Sequence, residues 1–366
     1  MQKHNRKRQS SKQRKAAPRS YVIGMDLGDK TSRYCVLEED KISKEGSVAT
    51  GKEGLEKVFG SLSASLVAIE VGTHSAWVER KLRELGHEVI VANPRQLRLI
   101  THSSNKTDKM DARTLARLAR ADRELLRPVR HRGEEAQLDL MRIRVRGQLV
   151  EARTGLINTA RGLAKSMGER LPSCDANAWS QERLRGIATA VAEVLRPLVE
   201  QIEQLSGRIK EADEELEQIA RTKYPETEGL RQVPGVGLLI ALTYVLTIDD
   251  PQRFRKSRDV GCFTGLRPKR SQSGERDPQL GITKEGDVYL RKLLVQGAHR
   301  MLSRQSPDTD LKRFGERLSM GGKNKKARKR AIVAVARKLS ILLHRLWVTG
   351  EKYEPLRNGR QRELAA

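Results

Sequence analysis

The chain has 366 residues, 37% of them hydrophobic and 4% aromatic, and its 72 Lys and Arg against 46 Asp and Glu leave a formal net charge of +26. That length allows two or three domains with cores of their own, and no apolar run nears the roughly 18–20 residues that span a bilayer. Cations in excess along the whole chain point to a polyanionic partner, because each neutralised phosphate releases condensed counterions. An anionic membrane surface is a poorer fit, since no basic amphipathic helix with an aromatic or leucine face stands out. Cys35, Cys174 and Cys262 are far apart and the seven histidines lack zinc-module spacing, which argues for a reducing cytoplasm with neither disulfide nor zinc site.

Residues 1–19, MQKHNRKRQSSKQRKAAPR, are dense in Lys and Arg with no apolar stretch behind them. They read as a disordered basic arm able to lie along phosphates, or as a plain solubilising tail, and not as a secretory signal. Residues 21–37, YVIGMDLGDKTSRYCVL, read as strand, tight turn, strand, with Gly24 and Gly28 as punctuation. A third strand in KISKEGSVAT precedes a helix from Lys52 to Leu62 and a buried strand in SLVAIEVG. A helix over SAWVERKLRELG ends at Gly86, and HEVIVANP is a further buried strand stopped by Pro94. Two helices, RQLRLI and KMDARTLARLARAD, close the segment. The order β-β-β-α-β-α-β-α is a mixed α/β layer, most compatible with an RNase H-like domain over residues 20–127.

From Glu134 to Met167 the pattern is wholly helical, and Leu195, Leu198, Ile202, Leu205, Ile209, Ala212, Leu216 and Ile219 then alternate spacings of three and four. This seam predicts a coiled coil within residues 128–224, closing on the earlier helix or on a second subunit, with Pro197 marking a first turn or kink. A third region, residues 225–350, begins with LRQVPGVGLLIALTYVL, two apolar helices about a Pro-Gly-Val-Gly turn. It resembles a helix-hairpin-helix element in which Gly235 and Gly237 let backbone N–H groups approach a phosphate, the alternative being an ordinary helical hairpin. A polar loop, GLRPKRSQSGERDPQLGITKEGD, leads into the helix VYLRKLLVQGAHRML. The last helical stretch carries GGKNKKARKR, a block of like charge, before a tail at 351–366.

Four carboxylates stand out against this basic background. Asp26 and Glu70 each end an apolar strand, and Asp108 and Asp111 share one face at the start of a helix. In an RNase H-like sheet the first and fourth strands are neighbours, so all four acids can converge. Hard oxygen donors of this kind suit Mg²⁺, and two such ions activate an attacking oxygen and stabilise a leaving one in phosphodiester cleavage. Taken singly, each has a structural explanation: Asp108 as a helix cap, Asp111 facing the helix dipole, Glu70 in a strand-end salt bridge. Asp29, in the turn after Asp26, is a competing ligand.

The segments YVIGMDLG, VAIEVGTHSAWV, VANPRQLRLITHSSNKTDKMDARTLARL and LRQVPGVGLLIALTYVL, then GLRPKRSQSGE and GITKEGDVYLRKLL, follow one another from Tyr21 towards His344. In this order the chain resembles the DEDD transposases of the insertion-sequence family numbered one-ten, the bridge-RNA-guided recombinases. The resemblance implies a Holliday-junction-resolvase-like N-terminal domain whose acids match Asp26, Glu70, Asp108 and Asp111, with two Mg²⁺ ions, or Mn²⁺ in their place. It implies a coiled coil and a C-terminal transposase domain, mainly α by its sequence pattern, whose nucleophilic serine matches Ser273, with Ser271 as the fallback. It further implies donor and target DNA as substrates, a structured non-coding guide RNA, and a homo-oligomer, dimer or tetramer, joining acids of one subunit to the serine of another. Lys106, Lys109 and Arg113 around the acids, and Arg267, Lys269, Arg270, Arg276 and Lys284 around the serine, are expected to hold phosphates. Such a protein belongs in a bacterial cytoplasm, against the nucleoid.

Three rival readings remain. A metal-dependent junction resolvase or nuclease would use the same acids without a covalent serine step. An actin-like ATPase or sugar kinase would share the DxG turn, yet needs a second phosphate loop and an adenosine-binding glycine pair that the sequence lacks. A non-catalytic nucleic-acid scaffold would bind without needing the acids.

Overall fold

The computed structural model describes residues 21–93, 108–278, 280–319 and 324–357, with Asp108 and Lys109 as backbone alone. The basic arm at 1–19, the helix expected over RQLRLI and Lys106 lie outside the described residues. The chain divides into two compact units, residues 1–132 and 133–366, each with its own hydrophobic clusters. Among the described residues, no helix is long and apolar enough to cross a membrane.

The first unit is a five-stranded sheet in the order β3-β2-β1-β4-β5. Its strands are β1 (Tyr21–Asp26), β2 (Thr31–Glu38), β3 (Lys41–Ala49), β4 (Leu66–Glu70) and β5 (Glu88–Ala92). The first three form an antiparallel meander, whereas β4 and β5 run parallel to β1. Alternation along the strands splits the apolar residues into two layers. Ile23, Met25, Val67, Ile69, Val89 and Val91 meet α1 (Lys52–Phe59) and α2 (Ser75–Glu84) through Leu55, Phe59, Val78 and Leu82. Val22, Leu66, Ala68, Ile90 and Ala92 meet α3 (Asp108–Ala121) through Ala112, Leu115, Ala116 and Ala119.

Gly24 does not punctuate a turn, as its sequence context had implied; it lies in the middle of β1, directly beneath α3. A Cβ built there would stand 2.1 Å from the Ala112 carbonyl oxygen and 2.4 Å from the Ala116 nitrogen. Only glycine lets the helix backbone come this close. Two charge pairs set the direction of α3. Arg113 forks onto both carboxylate oxygens of Glu45, Nη2 donating at 2.8 Å to Oε2, and Glu45 lies opposite Cys35, itself opposite Gly24. Arg120 lies 3.6 Å from Asp40, in the β2–β3 turn. The helix therefore runs antiparallel to β1, with its N-terminus over the C-terminal strand ends.

The second unit is helical. Helices α4 (Glu134–Ser166) and α5 (Thr189–Lys223) pack on each other along most of their length. Arg142 pairs with Glu215, Arg146 with Asp213, and Arg153 Nη1 donates 3.1 Å to Ser206 Oγ, so the two run antiparallel. Of the seam residues read from sequence, Leu195, Ile202, Ile209, Leu216 and Ile219 are buried, and Leu198, Leu205 and Ala212 are half-buried. Pro197 stands inside α5, in its third turn. At one end the fully buried Asp139 accepts from Arg142 Nη1 at 2.9 Å, Lys223 Nζ at 3.3 Å and the Tyr224 hydroxyl at 2.9 Å. Burial, and then this carboxylate, push the Tyr224 phenol far above its usual range.

Beyond α6 (Glu226–Arg231), α7 (Leu238–Ile248) is apolar on all sides and buried between neighbours. A short α8 (Val260–Phe263) precedes the polar loop; α9 (Val288–Met301), α10 (Asp310–Leu318) and α11 (Lys325–Thr349) follow. Their core joins Ile240 and Tyr244 to Leu294, Ala298, Val335 and Leu339, and the buried Tyr244 hydroxyl donates 2.7 Å to the Ser340 carbonyl.

Gly24→Ala should force α3 away from the sheet and cost about 1–3 kcal/mol of stability by overpacking, read from chemical denaturation. Asp139→Ala takes the acceptor from the half-buried Tyr224 hydroxyl, while Arg142 and Lys223 keep Glu215 and Glu135, so a loss of about 1–3 kcal/mol is expected in the same measurement.

Candidate active site

The register places two of the predicted acids side by side. Met25 of β1 pairs with Ile69 of β4, so Asp26 and Glu70 are the next residues on parallel neighbours about 4.8 Å apart. Their parity with Gly24 and Ala68 turns both towards the α3 layer, and both are half-buried. Asp111, 7% exposed, sits in the first turn of α3 beside Ala112, which rests on Gly24. Asp108 opens that helix. The strand ends and the helix start thus bring the backbone positions of all four acids to one end of the sheet. Among the described residues, with the Asp108 side chain not among them, no three His, Cys, Asp or Glu stand close enough to hold a metal ion.

The competing Asp29 is well exposed in the turn after β1 and lies 3.4 Å from His74 Nε2. Trp77 Nε1 donates 3.1 Å to His74 Nδ1, so the imidazole carries its proton on Nε2, towards Asp29. Arg113, expected to hold phosphate, is engaged by Glu45.

In the second unit the polar loop is an arm with antiparallel edges. Lys269 N donates 2.8 Å to the Gly281 carbonyl, Thr283 N 2.9 Å to Arg267, and Lys284 N 3.1 Å to Gly265. At its far end Ser273 and Arg276 exchange both backbone hydrogen bonds at 3.1 Å around Gly274, whose φ is +56°. Ser273 therefore opens a tight turn. Ser271, Ser273, Arg267, Lys269, Arg270, Arg276 and Lys284 are all exposed, and Arg270 lies 3.3 Å from Asp277. Two glycines close the base of the arm: a Cβ on Gly265 (φ +69°) would stand 2.1 Å from the Glu285 carbonyl oxygen, and one on Gly286 (φ +70°) 2.0 Å from that of Phe263.

Sequence reasoning missed what anchors this base. Asp287 caps α9, accepting from Leu290 N at 2.7 Å, and also receives Arg144 of α4, whose guanidinium lies 4.5 Å from the Tyr289 ring centroid. Arg291 Nη1 donates 2.6 Å to the Glu285 carbonyl. The cap was legible as an Asp before an apolar helix; Arg144 carried no local signal. Of the paired turn glycines, Gly235 (φ +85°) packs against α9, where a Cβ would meet the Gly297 carbonyl oxygen at 2.8 Å, whereas Gly237 is exposed at the start of α7.

Two family patterns match the chain. The DEDD transposase family of IS110 type matches residues 23–168, and the Transposase IS116/IS110/IS902 family matches residues 227–313. The chain is 28% identical over 355 residues to the transposase for insertion sequence element IS1111A of Coxiella burnetii, covering 93% of each chain. It is 30% identical over 304 residues to the putative transposase y4pF/y4sB of Sinorhizobium fredii, covering 81% of this chain and 76% of that one. The chain belongs to the IS110 family of transposases. The first match spans the sheet, α3 and α4, and the second spans the helices from α6 together with the serine-bearing arm. A third similar protein, the transposase for insertion sequence element IS1328 of Yersinia enterocolitica, is 28% identical over 299 residues, 78% of this chain and 85% of that one. This transposase is a DNA-recombining enzyme, and DNA is the polyanion its charge calls for.

Replacing Gly265 or Gly286 by Ala should unseat the arm of the transposase without unfolding its helices. Limited proteolysis within residues 267–278 should accelerate while far-ultraviolet helicity stays level. Gly281→Ala, with nothing within 4 Å of its Cβ and no positive φ, should leave the cleavage pattern unchanged.

Proposed function

We propose that this transposase cuts and rejoins DNA strands with Asp26, Glu70, Asp108 and Asp111 as ligands of two Mg²⁺ ions, for which Mn²⁺ can substitute, and with Ser273 as nucleophile. The observation that carries this reading is the β1–β4 register, which sets Asp26 and Glu70 side by side beneath the helix that begins at Asp108. Carboxylate oxygens are the donors that Mg²⁺ prefers. When bound, such ions lower the pKa of an attacking hydroxyl and offset charge on the departing oxygen. The strand order, with β2 antiparallel, supports an RNase H-like domain over residues 20–127. The antiparallel α4–α5 pair supports a coiled coil within 128–224, followed by a C-terminal transposase domain to residue 350.

At the arm, Ser273 loses its hydroxyl proton and its Oγ bonds to phosphorus as the bond to the leaving strand breaks; the departing oxygen takes up a proton. The phosphodiester energy is kept in phosphoserine, so a second strand's hydroxyl can reverse the step without an external energy source. Exposed Arg267, Lys269 and Arg276 are placed to offset charge on the phosphorane. Lys284, exposed in the return edge of the arm, is a further cation able to meet a phosphate. The resemblance to bridge-RNA-guided recombinases supports a structured guide RNA, a homo-oligomeric working form and action at the nucleoid.

The test uses the full chain with DNA carrying its element ends and the flanking transcript. Asp26→Asn, Glu70→Gln, Asp108→Asn and Asp111→Asn should each lower strand cleavage by at least ~100-fold, and chelation should abolish it until Mg²⁺ is restored. Wild type and Ser271→Ala should form a covalent protein–DNA adduct on denaturing gels, and Ser273→Ala should not. Undiminished cleavage by Ser273→Ala, with no adduct in the wild type, would assign a plain metal-dependent resolvase instead.

A further inference from the structure

The block of like charge near the C-terminus has no part in the chemistry above. Lys325, Lys326, Arg328, Lys329 and Arg330 open α11 on its exposed side, and of that run only Ala327 turns inward. Lys325, Lys326, Arg328 and Lys329 make no ion pair among the described residues, and the first turn of α11 holds no acid. Helix α10 runs antiparallel beside it: a Cβ on Gly315 would meet Val335 Cγ2 at 2.8 Å, and Lys338 Nζ lies 4.1 Å from the Phe314 ring centroid.

Such a cluster opposes folding twice over. Like charges one turn apart repel, and cations near a helix start oppose the macrodipole. A merely solubilising face would mix signs, as exposed faces ordinarily do. The residues that follow, Ala331, Ile332 and Val335, are buried, so no apolar face adjoins the cations to enter a bilayer. What remains is a polyanion. Lys325, Arg328 and Lys329 stand at helical offsets of three and four, spanning about 6 Å of axis, which matches about three phosphates along one strand of a duplex.

We propose that the first two turns of α11 are a DNA-backbone clamp, separate from the acids and the serine. The proposal needs only that the protein acts on DNA, so it stands or falls independently of their roles. Fluorescence anisotropy of the full chain with a duplex of about 30 base pairs, over a range of salt, tests it. Lys325→Gln/Arg328→Gln/Lys329→Gln should bind at least ~10-fold more weakly near 0.1 M salt, and the slope of log K against log salt should shrink by about 3, at about 0.9 per phosphate. Its thermal midpoint should stay level or rise, because the substitution removes repulsion; a structural role would lower it. Arg196→Gln/Arg208→Gln/Lys210→Gln, on the exposed face of α5, removes the same charge and should leave the slope unchanged. Equal weakening by both triple variants, no weakening by the first, or weakening confined to structured RNA would each overturn the proposal.

Discussion

The contact between α3 and Gly24 is the constraint on which the first unit turns. A helix ordinarily rides on a sheet with side chains between them. Here a glycine in the strand and two alanines on the helix remove that layer, so backbone meets backbone. Close approach leaves little freedom to slide, and the half-buried Arg113–Glu45 pair ties the helix to β3. The helix start is thereby held over the ends of β1 and β4. The backbone of the helix start and the ends of β1 and β4 thereby lie at one end of the sheet because three small residues stack.

The second unit meets its central demand differently. Two helices of 33 and 35 residues must choose a direction and a register, and an apolar seam alone specifies neither strongly. Buried Asp139 and the arginine pairs along α4 supply the missing information, since displacement by one turn would part this carboxylate from Lys223 and Tyr224. The arm that carries Ser273 is held at its base by two glycines, a helix cap and Arg144, while its tip is left exposed.

Charge is distributed with the same division of labour. Within the folded layers, arginines are spent on carboxylates: Glu45, Asp213, Glu215 and Asp287 each hold one. The arm and the start of α11 keep their cations exposed. A net charge of +26 would destabilise a compact chain through self-repulsion; here part of it is neutralised internally and the rest is displayed where a phosphate backbone can meet it.

Much of this was legible in the sequence. Short apolar runs bounded by turn residues pointed to the strands, and the spacing of Leu195, Ile202, Ile209 and Leu216 to the buried stripe of α5, because such runs and the helical period are local properties of the chain. The positions of Asp26 and Glu70 at strand ends followed from the same patterns, as did the cap at Asp287. What tertiary structure alone decided is which distant residues meet. Gly24 was taken for punctuation and proves to be a packing contact; Gly235, read either as a phosphate turn or as part of an ordinary helical hairpin, lies against α9; Arg113, expected to hold phosphate, is engaged by Glu45. Each of these depends on a partner tens of residues away, and a local pattern carries no information about that partner. The sequence determined the elements and the chemical groups they carry, whereas packing between elements decided which groups were consumed in holding the fold and which were left to act.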